Sequence, residues 1–311
     1  MFSTLMVVLP IFALIFAGWL ARRIGVLGPH ATSELNRFVV YLALPALLFD
    51  IVAHANWVDI WQPGFIAAFG LGSALVFGGT VAIRLRGTRH LADAVLDGLN
   101  AGYANTGFIG FPLAVVALGR GALAPTLVAT IMTVCILFAV AIVLIEIGLQ
   151  TERQRAKLAL KVTKSLVRNP LLVAPVLGAL IPIAGLAIPG PVETFFKLLG
   201  GAASPSALVA LGLFLANTRK STERTAGSTA FLVMCKLVAQ PLITWVAATQ
   251  IFGLSPMLTH TAVLLAALPT GTGPFMLAEF YNREAEVTSN AILVSTILSV
   301  LTVSAYLAIA G

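Results

Sequence analysis

The sequence predicts an all-α polytopic membrane protein with ten transmembrane helices, arranged as two inverted five-helix repeats. Three observations support this fold: the composition, the number of apolar runs and the placement of positive charge. Of the 311 residues, 59% are apolar and 10% are charged, whereas about 25% are charged in an ordinary soluble domain. So little charge cannot cover a soluble globule, and so apolar a chain is not intrinsically disordered.

The apolar runs are long enough to be membrane helices, which need about 20 apolar residues each. Arg22 and Arg23 follow the first run instead of preceding it, unlike the basic start of a signal peptide. The first run is therefore predicted to be a retained span with the N-terminus outside. The ten predicted spans are 3–21, 35–54, 63–84, 94–118, 122–147, 169–186, 194–216, 228–251, 257–280 and 286–310.

Positive charge alternates along the predicted loops. Of the 19 Lys and Arg residues, 16 lie in odd-numbered loops, while the even-numbered loops hold Arg120 and Lys197. Lys236 lies inside the eighth run. Because cytoplasmic loops carry the excess of Lys and Arg, we expect a multi-pass protein of the cell (inner) membrane with both termini outside. The net charge of +7 then reflects contact with the lipid bilayer, and no nucleic-acid partner is expected.

A basic segment at 149–168 separates two halves of five spans, 1–148 and 169–311. We interpret it as a cytoplasmic linker attracted to anionic lipid. Prolines within the spans align the halves at nearly constant offsets. The aligned pairs are Pro10 with Pro175, Pro45 with Pro205, and Pro112 with Pro274. An odd number of spans per half inverts the second copy, as in many secondary transporters.

The fourth and ninth spans concentrate glycine and proline near their middle. These residues weaken helices, and a broken helix inside a membrane is tolerated where it is buried in protein or lines a wet cavity. Its free N–H groups and half-helix amino ends then attract an anion. The predicted substrate-binding residues are Asn105, Thr106, Gly107, Pro112, Thr270, Gly271, Thr272 and Pro274.

These same segments resemble a known family. Residues 105–113 are similar to the fourth-helix signature of the auxin efflux carrier family, and 35–49 to its second helix. Residues 265–274 with 277–281 resemble its ninth helix, and 295–300 its tenth. The likeness covers essentially the whole chain. The short middle loop resembles the compact bacterial members, the malonate-type carriers, whereas the plant PIN carriers have a long loop there.

The resemblance implies two crossed, broken helices in a mobile transport domain, beside a scaffold domain that often forms a homodimer. It assigns Asn105, Pro112 and Pro274 to the crossing and binding site. One departure concerns the ninth helix, where PIN-type carriers have an asparagine and this chain has 270–273, Thr-Gly-Thr-Gly. For the dimer, small residues in the first span could pack closely across a helix interface; they are Ala13, Ala17 and Gly18.

Charges within or at the ends of spans are candidates for function because burying them is costly. Asp50 is either a proton acceptor or a solvated helix end. Lys236 either pairs with a carboxylate of substrate or protein, or extends to the membrane surface. Glu279 lies near a cytoplasmic end and is expected to have an interfacial role.

The pattern favours a secondary carrier of a small organic anion, a carboxylate, that works by alternating access. The alternative is an anion channel or facilitator of the same architecture. Enzyme motifs and a Walker motif are missing from the sequence, and Cys135 and Cys235 show no metal-ligand spacing. We therefore expect no catalytic residues, no metal and no cofactor. Coupling to protons or to sodium, or neither, is left open.

Overall fold

The structure is a computed structural model that describes residues 2–55, 61–87, 89–150, 163–164, 166–217 and 223–310. Most of the predicted linker, 151–162 and 165, lies outside the described residues, as does 218–222 in the seventh loop. The described chain is helical. Its helices are α1 (Phe2–Arg23), α2 (Ala31–Ala53), α3 (Pro63–Arg86), α4 (Leu91–Gly102), α5 (Thr106–Leu118), α6 (Arg120–Leu149), α7 (Pro170–Ile183), α8 (Gly190–Ala216), α9 (Thr225–Ile251), α10 (Pro256–Ala266), α11 (Gly273–Phe280) and α12 (Ala285–Ala310).

Six of these helices are long and apolar enough to cross a membrane: α2, α3, α6, α8, α9 and α12. Three shorter apolar helices accompany them, α5, α7 and α10. Irregular turns interrupt several long helices, with π-helical segments at Val39–Ala43 in α2, Ile131–Leu137 in α6 and Cys235–Ala239 in α9. The chain is thus an all-α, multi-pass membrane protein, as the composition predicts.

Local sequence sets where α7 and α10 begin. The Asn169 side chain accepts a hydrogen bond from the N–H of Leu171 at 3.0 Å, and Ser255 is the corresponding cap of α10. Proline follows each cap, Pro170 in α7 and Pro256 in α10. A proline in the first turn removes an N–H group that has no helical partner. Both helices therefore have well-defined amino ends.

The helices pack as two groups. In the four-helix group, α1 lies along α8 and α7 lies along α2, and α2 also contacts α8. The eight-helix group contains α3 to α6 and α9 to α12, with α3 against α4 and α9, and α9 against α12. The long contact between α1 and α8 depends on glycine. A Cβ atom on Gly18 would lie 2.1 Å from the Val209 carbonyl oxygen, and one on Gly212 would lie 1.9 Å from that of Ile15.

This packing assigns Gly18 to a contact within the chain, and not to the interface between two copies for which the sequence suggested it. Ala13 and Ala17, on the same helix, are exposed. Close approach by a small residue requires a partner backbone, and α8 provides that partner. Gly178 has a similar position in α7, where a Cβ atom would lie 2.7 Å from the Phe49 carbonyl oxygen of α2.

Ion pairs join α3, α4 and the turn between α11 and α12 at one end of the eight-helix group. The Asp97 side chain is fully buried, and its Oδ2 lies 2.8 Å from Arg84 Nε and 3.0 Å from Arg89 Nη1. Arg283 donates two hydrogen bonds to Asp93, at 2.6 and 2.8 Å. The Arg283–Asp93 pair connects the two halves of the sequence, and the Asp97 pairs connect α3 with α4, so together they stabilise this end of the eight-helix group.

Candidate functional site

Two interruptions of helical structure meet at the centre of the eight-helix group. One is at 103–105, between α4 and α5, and the other is at 267–272, between α10 and α11. Glycine and proline within and around both segments explain why the helices stop here. Each interruption leaves a carboxyl end on one side and an amino end on the other.

The two interruptions pair with each other as a short antiparallel bridge between Ala104 and Thr270. This pairing satisfies backbone groups that would otherwise be unpaired at this depth. Its two backbone hydrogen bonds run from the Asn105 N–H to the Pro269 carbonyl (2.9 Å) and from the Gly271 N–H to the Tyr103 carbonyl (3.0 Å).

Side chains from neighbouring helices hold the bridge in place. The Thr270 hydroxyl donates to the Asn100 carbonyl at 2.8 Å, and the Thr270 N–H donates to the Ser295 hydroxyl at 3.1 Å. The Asn100 amide donates to the Thr288 hydroxyl at 2.9 Å. All of these side chains are buried. The bridge is therefore fixed by α4 and α12 and not by solvent.

The Tyr103 ring lies against the second interruption and requires glycine there. A Cβ atom on Gly271 would lie 2.8 Å from Tyr103 Cε1, and one on Gly273 would lie 2.6 Å from Tyr103 Cζ. Tyr103 also contacts Phe138, with ring centroids 5.7 Å apart. The glycines thus let the ring form a wall of the space next to the bridge.

That space is a cavity of about 310 Å³ between the four-helix group and the eight-helix group. Its lining is mostly apolar, with polar groups from Tyr103, Asn105, Thr130, Ser204 and Thr272, and no charged side chain belongs to it in the part of the chain described. The other lining residues are Val39, Leu44, Leu47, Ile51, Ala104, Gly107, Phe108, Phe111, Val134, Gly200, Gly201, Ala203, Ala207, Gly273 and Met276.

The predicted binding residues fall into two sets. Asn105, Gly107 and Thr272 line the cavity; the Asn105 side chain is half-buried and has no hydrogen-bond partner among the described residues. The others do not line it. Thr106 is buried beside the cavity, Thr270 is bound to Asn100, Gly271 packs on Tyr103, and Pro112 and Pro274 lie in the first turns of α-helical segments.

The three charged candidates lie away from the cavity. Asp50 Oδ1 is 3.0 Å from His54 Nδ1 at the end of α2. Glu279 is half-buried in the last turn of α11. Lys236 is fully buried, and its Nζ donates to the Ala266 carbonyl at 2.7 Å. Lys236 therefore does not extend to the membrane surface and forms no ion pair with a protein carboxylate among the described residues, whereas pairing with a substrate carboxylate stays a prediction.

Sequence reasoning did not single out Tyr103, Thr130, Ser204 or Gln240. The Gln240 amide donates to the Gly102 carbonyl at 3.1 Å and to Ser73 at 3.0 Å. Gln240 is four residues from Lys236 on one helix, so the sequence indicates that the two side chains share a helix face. Ser204 stands beside the aligned Pro205, but its place in the cavity depends on how the two groups of helices meet.

A multi-pass helical protein with paired helix breaks beside a central cavity has the construction of a membrane transporter. Comparison with known proteins identifies which kind. The family described as "Membrane transport protein" matches residues 3–307, and the chain belongs to this family, that of the auxin efflux carriers.

Individual relatives agree with this assignment. A protein of Rhizobium meliloti named "Putative malonate transporter" is 32% identical over 301 residues, covering 96% of this chain and 93% of the relative. An "Uncharacterized transporter" of Methanothermobacter thermautotrophicus is 26% identical and covers 94% of both chains. A "Probable auxin efflux carrier component 5c" of Oryza sativa is 31% identical over 150 residues, 47% of this chain and 40% of the relative.

Proposed function

We propose that this transporter is a secondary carrier of a small organic anion, a carboxylate, that works by alternating access. The observation that carries the proposal is the position of the cavity at the amino ends of α5 and α11. The first N–H groups of a helix have no partner within the helix, and this end carries partial positive charge. Asn105 and Thr272, at the starts of the two helices, add side-chain groups at the same place. A carboxylate is the ligand that this arrangement suits best.

The architecture proposed for this carrier has ten spans in two inverted repeats. The six long apolar helices, α1, α7 and the two broken helices α4–α5 and α10–α11 make up the ten. In the proposed repeat, α7 is the counterpart of α1 and α8 is the counterpart of α2. The contact between α1 and α8 in the structure therefore has a counterpart in the contact between α7 and α2, and both contacts are extensive. The two helix breaks that the bridge joins, 103–105 and 267–272, then occupy corresponding places in the two repeats.

In this proposal the four-helix group is the scaffold and the eight-helix group is the transport domain. The scaffold forms the homodimer, as the family resemblance implies, through lipid-facing surfaces other than Gly18. The positive charge of the odd loops supports a location in the cell (inner) membrane with both termini outside. Proton coupling through Asp50 or Glu279 gains no support from geometry, because neither residue lines the cavity.

Contacts between the two groups of helices support a carrier over a channel. The Asn36 amide of α2 donates to the Met276 carbonyl of α11 at 3.4 Å, and the Tyr41 ring packs edge-on against Phe280 at 5.8 Å. These contacts lie next to the cavity and leave α2 packed against α11 there. A channel needs a continuous polar path, whereas a carrier breaks such contacts once in each cycle.

The lining also indicates the kind of carboxylate. An ionised group inside an apolar space needs compensating polar partners. Among the described residues the cavity offers the two helix amino ends and the hydroxyl groups of Tyr103, Thr130 and Ser204, with no charged side chain for a second carboxylate. One carboxylate with an apolar body therefore fits better than a dicarboxylate.

Counterflow in proteoliposomes tests this preference. We expect saturable, trans-stimulated exchange, with apolar monocarboxylates competing more strongly than malonate. Flux without trans-stimulation would favour the channel, and stronger competition by malonate would contradict the monocarboxylate.

Replacing Asn105 by alanine tests the location of the site. Loss of a hydrogen bond to a charged group costs about 1.5–3 kcal/mol, so binding should weaken roughly tenfold to a hundredfold while the thermal stability is retained. Asn290 of α12 is also half-buried but does not line the cavity, and Asn290→Ala is the matched control. Wild-type affinity in a normally expressed Asn105→Ala variant would place the site elsewhere.

A further inference from the structure

The carboxyl ends of the two broken helices, α4 and α10, are buried inside the eight-helix group. The last residues, Gly102 and Ala266, present carbonyl groups that no further helical turn satisfies. A helix carboxyl end also carries a partial negative charge of about half an electron. At this depth each end needs a hydrogen-bond donor or a positive charge.

One helix, α9, supplies a donor to both ends. Lys236 Nζ donates to the Ala266 carbonyl at 2.7 Å, and Gln240 Nε2 donates to the Gly102 carbonyl at 3.1 Å. The two side chains are four residues apart, which places them on the same face of α9, and both are 0% exposed. The end of α4 thus receives an amide of glutamine, whereas the end of α10 receives the side-chain amino group of a lysine.

The environment of Lys236 identifies the helix end as its electrostatic partner. No carboxylate forms an ion pair with Lys236 within the described ranges. An ammonium group buried without an acidic partner is unfavourable unless something else compensates it. The partial negative charge at the end of α10 lies where it can compensate an ammonium group, and the 2.7 Å distance is at the short end of the range for charge-assisted hydrogen bonds.

In carriers built from discontinuous helices, half-helix carboxyl ends and unwound carbonyls coordinate Na⁺ or H⁺. We propose that Lys236 takes the place of such an ion, as a cation tethered at the end of α10. The segment 267–272 then reaches its binding geometry without a bound metal cation. Lys236 is a positioning residue, because it acts on the cavity through α10 and Thr272. The inference rests on the proposed carrier function, and it predicts that transport does not depend on sodium.

Counterflow in sodium, potassium and choline chloride tests the transport consequence. The wild-type rate should be the same in all three salts. Lys236→Met keeps most of the side-chain volume and removes the charge, so its rate should fall roughly tenfold to a hundredfold in every salt. Lys236→Ala leaves space at the end of α10, and its rate should recover in sodium or methylammonium chloride but not in choline chloride. Gln240→Met removes a neutral donor from the same face and should show no salt response.

Thermal unfolding of the purified variants, without substrate, tests the cation itself. Lys236→Ala should melt at a higher temperature in sodium or methylammonium chloride than in choline chloride, while wild type should not change. The inference is overturned if wild-type exchange requires sodium, if Lys236→Met transports at the wild-type rate, or if Lys236→Ala melts identically in all salts. Because melting needs no substrate, it reports on Lys236 even if no carboxylate is transported.

Discussion

Replacing Asp97 by alanine should destabilise the protein by about 3–5 kcal/mol, the cost of leaving a buried charge without its partner. Asp97 is fully buried and contacts both Arg84 and Arg89. Without the carboxylate, Arg84 loses its ion-pair partner, while Arg89 keeps Glu284 at 3.2 Å, so two partly buried guanidinium groups are left with one carboxylate at the junction of α3 and α4. A loss of this size lowers the melting temperature by several degrees in a chain of this length, which fluorescence-detected size-exclusion after heating would measure.

The matched control is Glu34→Ala. Glu34 pairs with Arg37 at 3.7 Å, and both side chains are about two-thirds exposed (67% and 69%). Exposed pairs contribute about 0–1 kcal/mol, so this variant should melt close to wild type. Equal melting temperatures for Asp97→Ala and Glu34→Ala would show that the Asp97 ion pairs do not stabilise this end of the eight-helix group.

Replacing Gly212 by alanine should destabilise the protein by about 3 kcal/mol, at the upper end of the range for overpacking. The added Cβ would lie 1.9 Å from the Ile15 carbonyl oxygen and 2.9 Å from the Trp19 N–H nitrogen. These atoms belong to the backbone of α1, so no side chain can rotate away. The helices α1 and α8 would have to separate along their length.

The same substitution at Gly78 is the control, and it should act in the opposite direction. Gly78 lies in α3, and a Cβ atom added there would meet no neighbouring atom of the described chain within 4 Å. Alanine is favoured over glycine in a helix by about 0.8–1.0 kcal/mol, so Gly78→Ala should leave stability equal or raised. A Gly212→Ala variant that melts like Gly78→Ala would mean that α1 and α8 do not approach as closely as described.

The sequence predicted the features that depend on local composition. Apolar runs have the length of membrane helices, and the glycine and proline near 102–112 and 269–274 mark where helices stop, because backbone preferences act within a few residues. The loop charges predicted a membrane protein without reference to any contact.

Features that depend on which helices are neighbours were beyond such reasoning. Gly18 looked suited to a helix interface, yet only the packing shows that its partner is Val209 of the same chain. Lys236 was expected to meet a carboxylate or the membrane surface, whereas it meets a helix end. Ser204 lines the cavity because α8 of the second half faces α5 of the first half. Each of these depends on residues far apart in the chain.

The bridge between Ala104 and Thr270 has a consequence for how the protein is made. Asn105 donates its backbone N–H to Pro269, and Gly271 donates to Tyr103, so each half of the chain contains the hydrogen-bond partners that the other half lacks. When the first half has entered the membrane during synthesis, its broken helix has no partner for these groups, at a cost of about 1–3 kcal/mol each. The first half must therefore remain incompletely folded until the ninth span arrives, more than 160 residues later in translation.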